Sequence, residues 1–342
     1  MKKYQLISIS SVFSVILLAS ILVPVFLTNI TIGFRKEDPA CTNAINTIMS
    51  LKRIHSSYPF YVMKYYGDYG FLDVIDNGVT SIGEFPDNMQ FACTCFSALN
   101  PCSDPIYGRN FDWMEDGGLF LLTEPSYGYA SICTINLAIM GLDSAIDPND
   151  PETQERLLLS PYYLMDGMNE YGLIIGIMAI SRASRVYNAS QPTISSLDIV
   201  RLGLEFAKTI DETLILWQNY NIDFGPIPIH YLLADSSGDS AIVEWIDGQM
   251  HIYPNEEYWQ VSTNFIFTDE TPPYPCWRYN TAYQLLQGAS GSVTMEEGMA
   301  ILESCSLSGY SSTLWSNIYN LETREVHIAI NRNYDRIYEF HF

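Results

Sequence analysis

The chain has little positive charge: of its 342 residues only 17 are Lys or Arg, against 39 Asp or Glu, a formal net charge of −22. The deficit is local. Residues 1–92 carry seven basic and seven acidic side chains, so the remainder, with one Lys, nine Arg and 32 acidic groups, holds the whole imbalance. So acidic a body repels phosphate backbones, and no basic stripe with interleaved aromatics offsets it, which excludes nucleic acid as an expected partner. A solvated face that keeps the protein soluble accounts for the charge, with adaptation to high salt or recruitment of a cationic substrate as the other readings. Histidine is scarce too, and His55, His230, His251, His327 and His341 fall in no recognisable motif. Cys93-x-Cys95 lacks the two-residue gap of a zinc or thioredoxin-type pair and has no His close by in sequence, so neither a metal nor a cofactor is expected. Internal repeats and low-complexity tracts are absent.

What is present begins with a leader. Met1-Lys2-Lys3-Tyr4-Gln5 precedes an apolar stretch from Leu6 to Leu27, interrupted only by serines and Pro24. A charged cap on such a run is an export signal that just reaches membrane-spanning length, and a cleaved signal and an uncleaved anchor fit it equally. Export places the body outside the cell or on the outer face of the membrane. The seven cysteines, being odd in number, then leave at least one thiol free, and the other six could pair in up to 15 ways.

With 48% hydrophobic residues the chain has ample material for a core. The expected division is a leader over 1–27, a small helical pro-segment over 28–92 and a main domain over 93–342. Helical spacing is visible from about Thr42 to Lys52. Beyond Phe91 the texture becomes β-rich, with strands expected over Tyr129–Leu137 and Gly172–Ile180, the second apolar on both faces as in a strand between layers. One helix is expected from about Ser196 to Asn219, then strands over Tyr231–Ala234, Ala241–Trp245 and Gln249–Tyr253. Helices over Trp277–Leu286 and Thr294–Cys305 precede a final strand pair, Thr313–Asn320 and Glu325–Ile330. Strand runs, helices, then strands again indicate a layered α+β fold.

The chemistry concentrates in Phe91-Ala-Cys-Thr-Cys-Phe through Tyr107-Gly-Arg-Asn-Phe-Asp-Trp113. It reads as strand, turn and returning strand, which brings Cys93 near Arg109 and lets a thiol, a guanidinium and the Asp112 carboxylate converge. An adjacent cation favours thiolate over thiol, as a cysteine nucleophile requires.

A Cys-Thr pair followed at this distance by Gly-Arg-Asn-x-Asp resembles the choloylglycine hydrolase superfamily of N-terminal-nucleophile hydrolases, which includes penicillin V acylase, bile salt hydrolase, acid ceramidase and N-acylethanolamine acid amidase. Asp166-Gly-Met-Asn-Glu-Tyr-Gly-Leu173 and Val261-Ser-Thr-Asn264 resemble two further segments of that family, in the same order. The resemblance implies a four-layer αββα sandwich and an autoprocessed cysteine amidase that hydrolyses linear amide C–N bonds of small N-acyl compounds. Cleavage before Cys93 would free an α-amine, with a reference pKa of about 8, to serve as base toward the residue's own thiol. The resemblance further implies that Arg109 keeps the thiol's surroundings positive, Asp112 orients the new amine and Asn264 donates to the oxyanion. Cys95 is expected to be a structural neighbour and Asn169 a turn former.

Two departures weaken a bile-salt assignment: Ser311-Ser-Thr-Leu-Trp-Ser316 holds none of the arginine that bile salt hydrolases carry near the C-terminus, and Ala179 stands where they place an asparagine. The expected acyl group is therefore neutral and apolar. Phe111, Trp113, Met114, Met165, Met168, Phe265 and Phe267 flank the matched segments as wall candidates, with Trp113 assigned to the substrate and Arg278 to the leaving group. An acyltransferase that passes the same acyl-enzyme to an amine is the first alternative. A non-catalytic anchored surface or binding protein is the second.

Overall fold

A computed structural model of the protein describes residues 39–78, 92–114, 117–142, 145–271, 274 and 276–342. The leader lies outside these, and no helix among the described residues is long and apolar enough to cross a membrane.

Ahead of Cys93 come helix α1 (Pro39–Met49), strands β1 (Lys52–Arg53) and β2 (Phe60–Tyr65), and helix α2 (Phe71–Asn77). The two strands lie between the two helices of this segment. β2 pairs in parallel with β5 (Gly118–Thr123) and thereby extends the main sheet. The reason lies in the segment's apolar side chains: Phe60, Met63 and Phe71 are fully buried, and their apolar area is removed from water only against the body.

That sheet has nine strands in the order β1-β2-β5-β6-β7-β8-β11-β12-β13. The members not yet named are β6 (Ser131–Asn136), β7 (Asp166–Asn169), β8 (Ile174–Ala179), β11 (Ile229–Ala234), β12 (Ser240–Ile246) and β13 (Gln249–Pro254). A second sheet of six antiparallel strands runs β14-β3-β4-β15-β16-β17, from β3 (Ala92–Ala98), β4 (Ile106–Trp113), β14 (Trp259–Ser262), β15 (Ser312–Asn320), β16 (Val326–Ile330) and β17 (Ile337–Phe340). The last strand was not expected. A two-stranded parallel pair, β9 (Thr193–Ser195) and β10 (Asn221–Asp223), stands apart from both.

The short helix α3 (Pro151–Leu158) is capped by the Asp150 side chain. The single helix expected over 196–219 is two, α4 (Asp198–Phe206) and α5 (Ile210–Trp217). Ala207 is extended, and the Thr209 side chain accepts from Glu212 N while Glu212 accepts from Lys208 N, so a local capping motif restarts the helix where apolar spacing alone reads straight through. α4 packs on β7 and β8, while α6 (Trp277–Gly288) and α7 (Met295–Ser304) pack on the six-stranded sheet. With β3 against β8 and β11 between the sheets, the layers run helix, sheet, sheet, helix.

Both sheets meet face to face, so β3, β4 and β8 are buried on both faces. Gly176 sets the spacing at the centre. A Cβ there would stand 2.3 Å from the Tyr107 hydroxyl and 3.3 Å from the Arg109 guanidinium, so only glycine admits those side chains.

Candidate active site

The β3–β4 hairpin pairs Cys93 with Phe111, Cys95 with Arg109 and Ala92 with Asp112. Directly paired residues share a face and successive ones alternate, which sorts the candidates. Cys93, Cys95, Arg109, Phe111 and Trp113 point to the nine-stranded sheet, whereas Thr94, Asn110 and Asp112 point to the layer of α6 and α7. The expected convergence is therefore divided: thiol and guanidinium meet directly, with Arg109 Nη2 3.5 Å from Cys93 Sγ, but the Asp112 carboxylate lies across the sheet.

Arg109 is held from behind. Its Nε is 3.2 Å from an Asp166 carboxylate oxygen and its Nη1 donates to the Met165 carbonyl, with every partner fully or almost fully buried. Asp166 in turn accepts from Thr134 at 2.6 Å and from Tyr319. Burial pushes the Asp166 carboxyl up, and Arg109 opposes that. The sequence had singled out the Asp166 segment without giving the carboxylate a task; it is the counter-charge that keeps the guanidinium beside Cys93.

Asn264 arrives by register. β14 pairs with β3 so that Ser262 faces Cys95, and two residues further along the same antiparallel course Asn264 reaches Cys93. Its Oδ1 accepts from the Cys93 backbone nitrogen at 2.6 Å, and its Nδ2 donates to the Ala179 carbonyl at 2.9 Å. His230 and Glu244, both buried, pin the segment that carries it. His230 Nε2 lies 2.7 Å from the Thr263 carbonyl and Nδ1 3.3 Å from Glu244, while Glu244 accepts from Phe267 N and Thr268 N. Sequence reading passed over both, because a lone His on a strand carries no motif.

Arg278 ties the two faces together. From the first turn of α6 it donates to the Cys93 carbonyl, to Thr94 Oγ1 at 3.0 Å and to Asn264 Oδ1 at 3.0 Å, and it stands 3.4 Å from Asp112. Asp112 also accepts from Thr313 at 2.5 Å. The arginine assigned to the leaving group thus sits at the backbone of Cys93 itself. Trp113, expected at the substrate, is 1% exposed, stands edge-on to Phe111 and is not among the residues that line the cleft at the thiol.

That cleft opens beside Cys93 and Arg109 between Phe111, Met165, Ile177, Ala179, Leu197 and Phe224, with further isoleucines around it. Apart from Arg109 its lining carries no charge. Cys93 is 1% exposed, and burial raises its thiol above the ordinary value, an effect that Arg109 and Arg278 oppose without cancelling. A standing thiolate, expected from the adjacent cation, is thus disfavoured, and the nucleophile needs a base. Cys95 is fully buried and pushed up to about 12 by burial. Asn169 holds its turn, accepting from Tyr171 N and Leu173 N. None of the seven cysteines is in a disulfide. The one group of three possible metal-binding side chains among the described residues, Glu325, His327 and Glu339, lies at the start of β16 and on its neighbour β17, and none of the three lines the cleft at Cys93.

A family model for the linear amide C-N hydrolases of the choloylglycine hydrolase family matches residues 93–269. The chain belongs to that family. Penicillin V acylase of Pectobacterium atrosepticum is 26% identical over 197 residues, which are 52% of this chain and 50% of that protein, so the match spans about half the length of this curated relative. Among solved structures the chain is similar to penicillin V acylase from Agrobacterium tumefaciens, with 19% identity, 73% of this chain and 86% of that one covered, and a TM-score of 0.55. It is also similar to a mutant of the conjugated bile acid hydrolase from Clostridium perfringens, with 14% identity, coverages of 73% and 92%, and a TM-score of 0.55. At these identities the likeness is one of fold, and the fold is the N-terminal-nucleophile αββα sandwich.

Proposed function

We propose that this family member is an autoprocessed amidase that cleaves the linear amide bond of small N-acyl compounds through a Cys93 thioester. The observation that carries the reading is the environment of one residue. Cys93 offers its thiol to an apolar cleft beside Arg109 while its backbone nitrogen is held by Asn264 and its carbonyl by Arg278. A backbone held on both sides is what a residue needs if its own main-chain nitrogen is to become a catalytic group. The family match also begins at Cys93.

Scission of the Ala92–Cys93 bond converts the held amide into an amine with a reference pKa of about 8, poised to take the proton that burial keeps on the thiol. Sγ then attacks the acyl carbonyl, and the leaving amine takes that proton as it departs. Water hydrolyses the thioester and restores the enzyme. Asn264 Nδ2, which donates to the Ala179 carbonyl at the cleft, is the donor proposed for the oxyanion, and it would leave that carbonyl to serve it. The lining favours a neutral, apolar acyl chain, and the cleft, with a volume of only ≈ 20 Å³ in this structure, has to open to admit one. The leader is proposed to export the enzyme, anchored or secreted.

The test is the mature protein itself. It begins at Cys93 when its N-terminus is sequenced, Cys93→Ala neither matures nor turns over N-acyl amides, and Cys95→Ala keeps most activity. Full activity in a chain still joined at Ala92–Cys93, or a tenfold preference for taurine-conjugated bile salts, about 1.4 kcal/mol in transition-state binding, overturns the mechanism or the pocket respectively.

A further inference from the structure

A second concavity, of ≈ 510 Å³, opens between β13, β14 and α6. It shares no lining residue with the cleft at Cys93. Six aromatic rings follow one another along its wall without a break. Tyr253 lies 5.9 Å from Phe267, Phe267 5.3 Å from Tyr274, Tyr274 4.8 Å from Tyr279, Tyr279 5.9 Å from Tyr283, and Tyr283 6.0 Å from Trp259. Rings that served only as core would close on one another. These line an open space of ligand size.

Three further observations define what would enter it. Glu256 and Glu257 stand exposed at the edge, and neither forms an ion pair among the described residues. The Tyr274 phenol, raised first by burial, is raised also by the charge of Glu256, so the carboxylate is felt inside the groove. No Lys or Arg lines the space, and none of the cation–π contacts among the described residues uses these rings.

Aromatic faces are the negative ends of ring quadrupoles and attract cations, the more so when the site is partly desolvated. A primary ammonium entering here would leave its water without gaining buried carboxylates for its N–H groups, since both glutamates remain at the exposed edge. A quaternary ammonium has no N–H to satisfy. We propose that this groove binds a quaternary ammonium compound. Such a ligand is also drawn by the surplus of acidic side chains over residues 93–342. It would rest against α6 and β14, the elements that lead to Arg278 and Asn264, but the site is separate from the one at Cys93 and stands or falls independently of the amidase reading.

The probe is choline, titrated calorimetrically into the purified full chain, with 3,3-dimethylbutan-1-ol as its uncharged isostere. Choline binds, and the isostere binds at least about tenfold more weakly because shape and hydroxyl are kept while the charge is lost. Tyr283→Leu, which keeps apolar bulk without a π face, weakens choline at least about fivefold. Glu256→Gln combined with Glu257→Gln weakens it and reduces its salt dependence. These glutamates are exposed, so this second variant remains informative if Tyr283→Leu fails to fold by circular dichroism. Equal affinity for choline and its isostere, no choline binding up to about 10 mM, or wild-type affinity in the folded variants overturns the proposal.

Discussion

The Oδ1 of Asn264 lies 2.6 Å from the backbone nitrogen of Cys93, although 171 positions separate them in the chain. The same oxygen accepts from Arg278, and the amide's other end is engaged with Ala179. One side chain thus fixes the nitrogen that is proposed to become the base and carries the donor proposed for the oxyanion. Asn264→Ala is therefore expected to lower kcat for N-acyl amide hydrolysis by about 10²–10³ with a smaller change in KM. A kcat within tenfold of wild type would remove Asn264 from the chemistry.

Burial lifts the Asp112 carboxyl to about 6, against the opposing influence of Arg278, Thr313 and Arg109. In the folded chain it is charged mainly above that value, so its pairing with Arg278 weakens as pH falls through about 6. The acid limb of the kcat profile should centre there and flatten in Asp112→Asn. Stability responds with the opposite sign. Between the ordinary value of 3.8 and about 6 the folded state holds a proton the unfolded chain has released, so this group's contribution declines as pH rises across that window and is constant above it. An acid limb that Asp112→Asn leaves in place would show that another group sets it.

Asp166 and Arg109 are both fully buried and 3.2 Å apart. Asp166→Ala leaves the guanidinium uncompensated in the core and should cost about 3–5 kcal/mol in denaturant unfolding, with activity falling as Arg109 leaves the thiol. A variant as stable as wild type would mean that water or another group replaces the carboxylate.

Residues 39–78 should stay with the body after scission before Cys93. Parallel pairing of β2 with β5 and the burial of Phe60, Met63 and Phe71 make the segment part of the sheet and core. The two pieces are expected to co-elute in size-exclusion chromatography and to separate only in denaturant. A fully active body that elutes without the segment would refute this.

Much of the site was legible because it is local. The β3–β4 hairpin is set by two strand runs and the turn residues between Asn100 and Pro105, and its spacing alone pairs the Cys93 strand with Arg109. The apolar run of β8 announced a strand between layers, and the family motifs named Asn264. Less visible was which face each side chain takes. Asp112 is three residues from Arg109 and so on the other side of the sheet, a consequence of the period of two, and it rejoins the site only through Arg278 from a different helix. The restart of helix at Thr209 and the capture of Phe60–Tyr65 by the sheet were likewise missed, since apolar spacing does not record where a cap competes or which edge an amphipathic strand will find.

From the sequence by itself came the acidic body, the α+β layering, the cysteine, the arginine and the asparagine. Only the tertiary structure decided that the thiol is buried enough to hold its proton, that Asp166 and not Asp112 faces Arg109, that Trp113 is core, and that Arg278 grips the backbone of Cys93. The physical reason is common to all four. Proton affinity, ion pairing and access depend on which groups approach within a few ångströms and how much water they exclude, and those groups are brought together from strands and helices far apart in the chain.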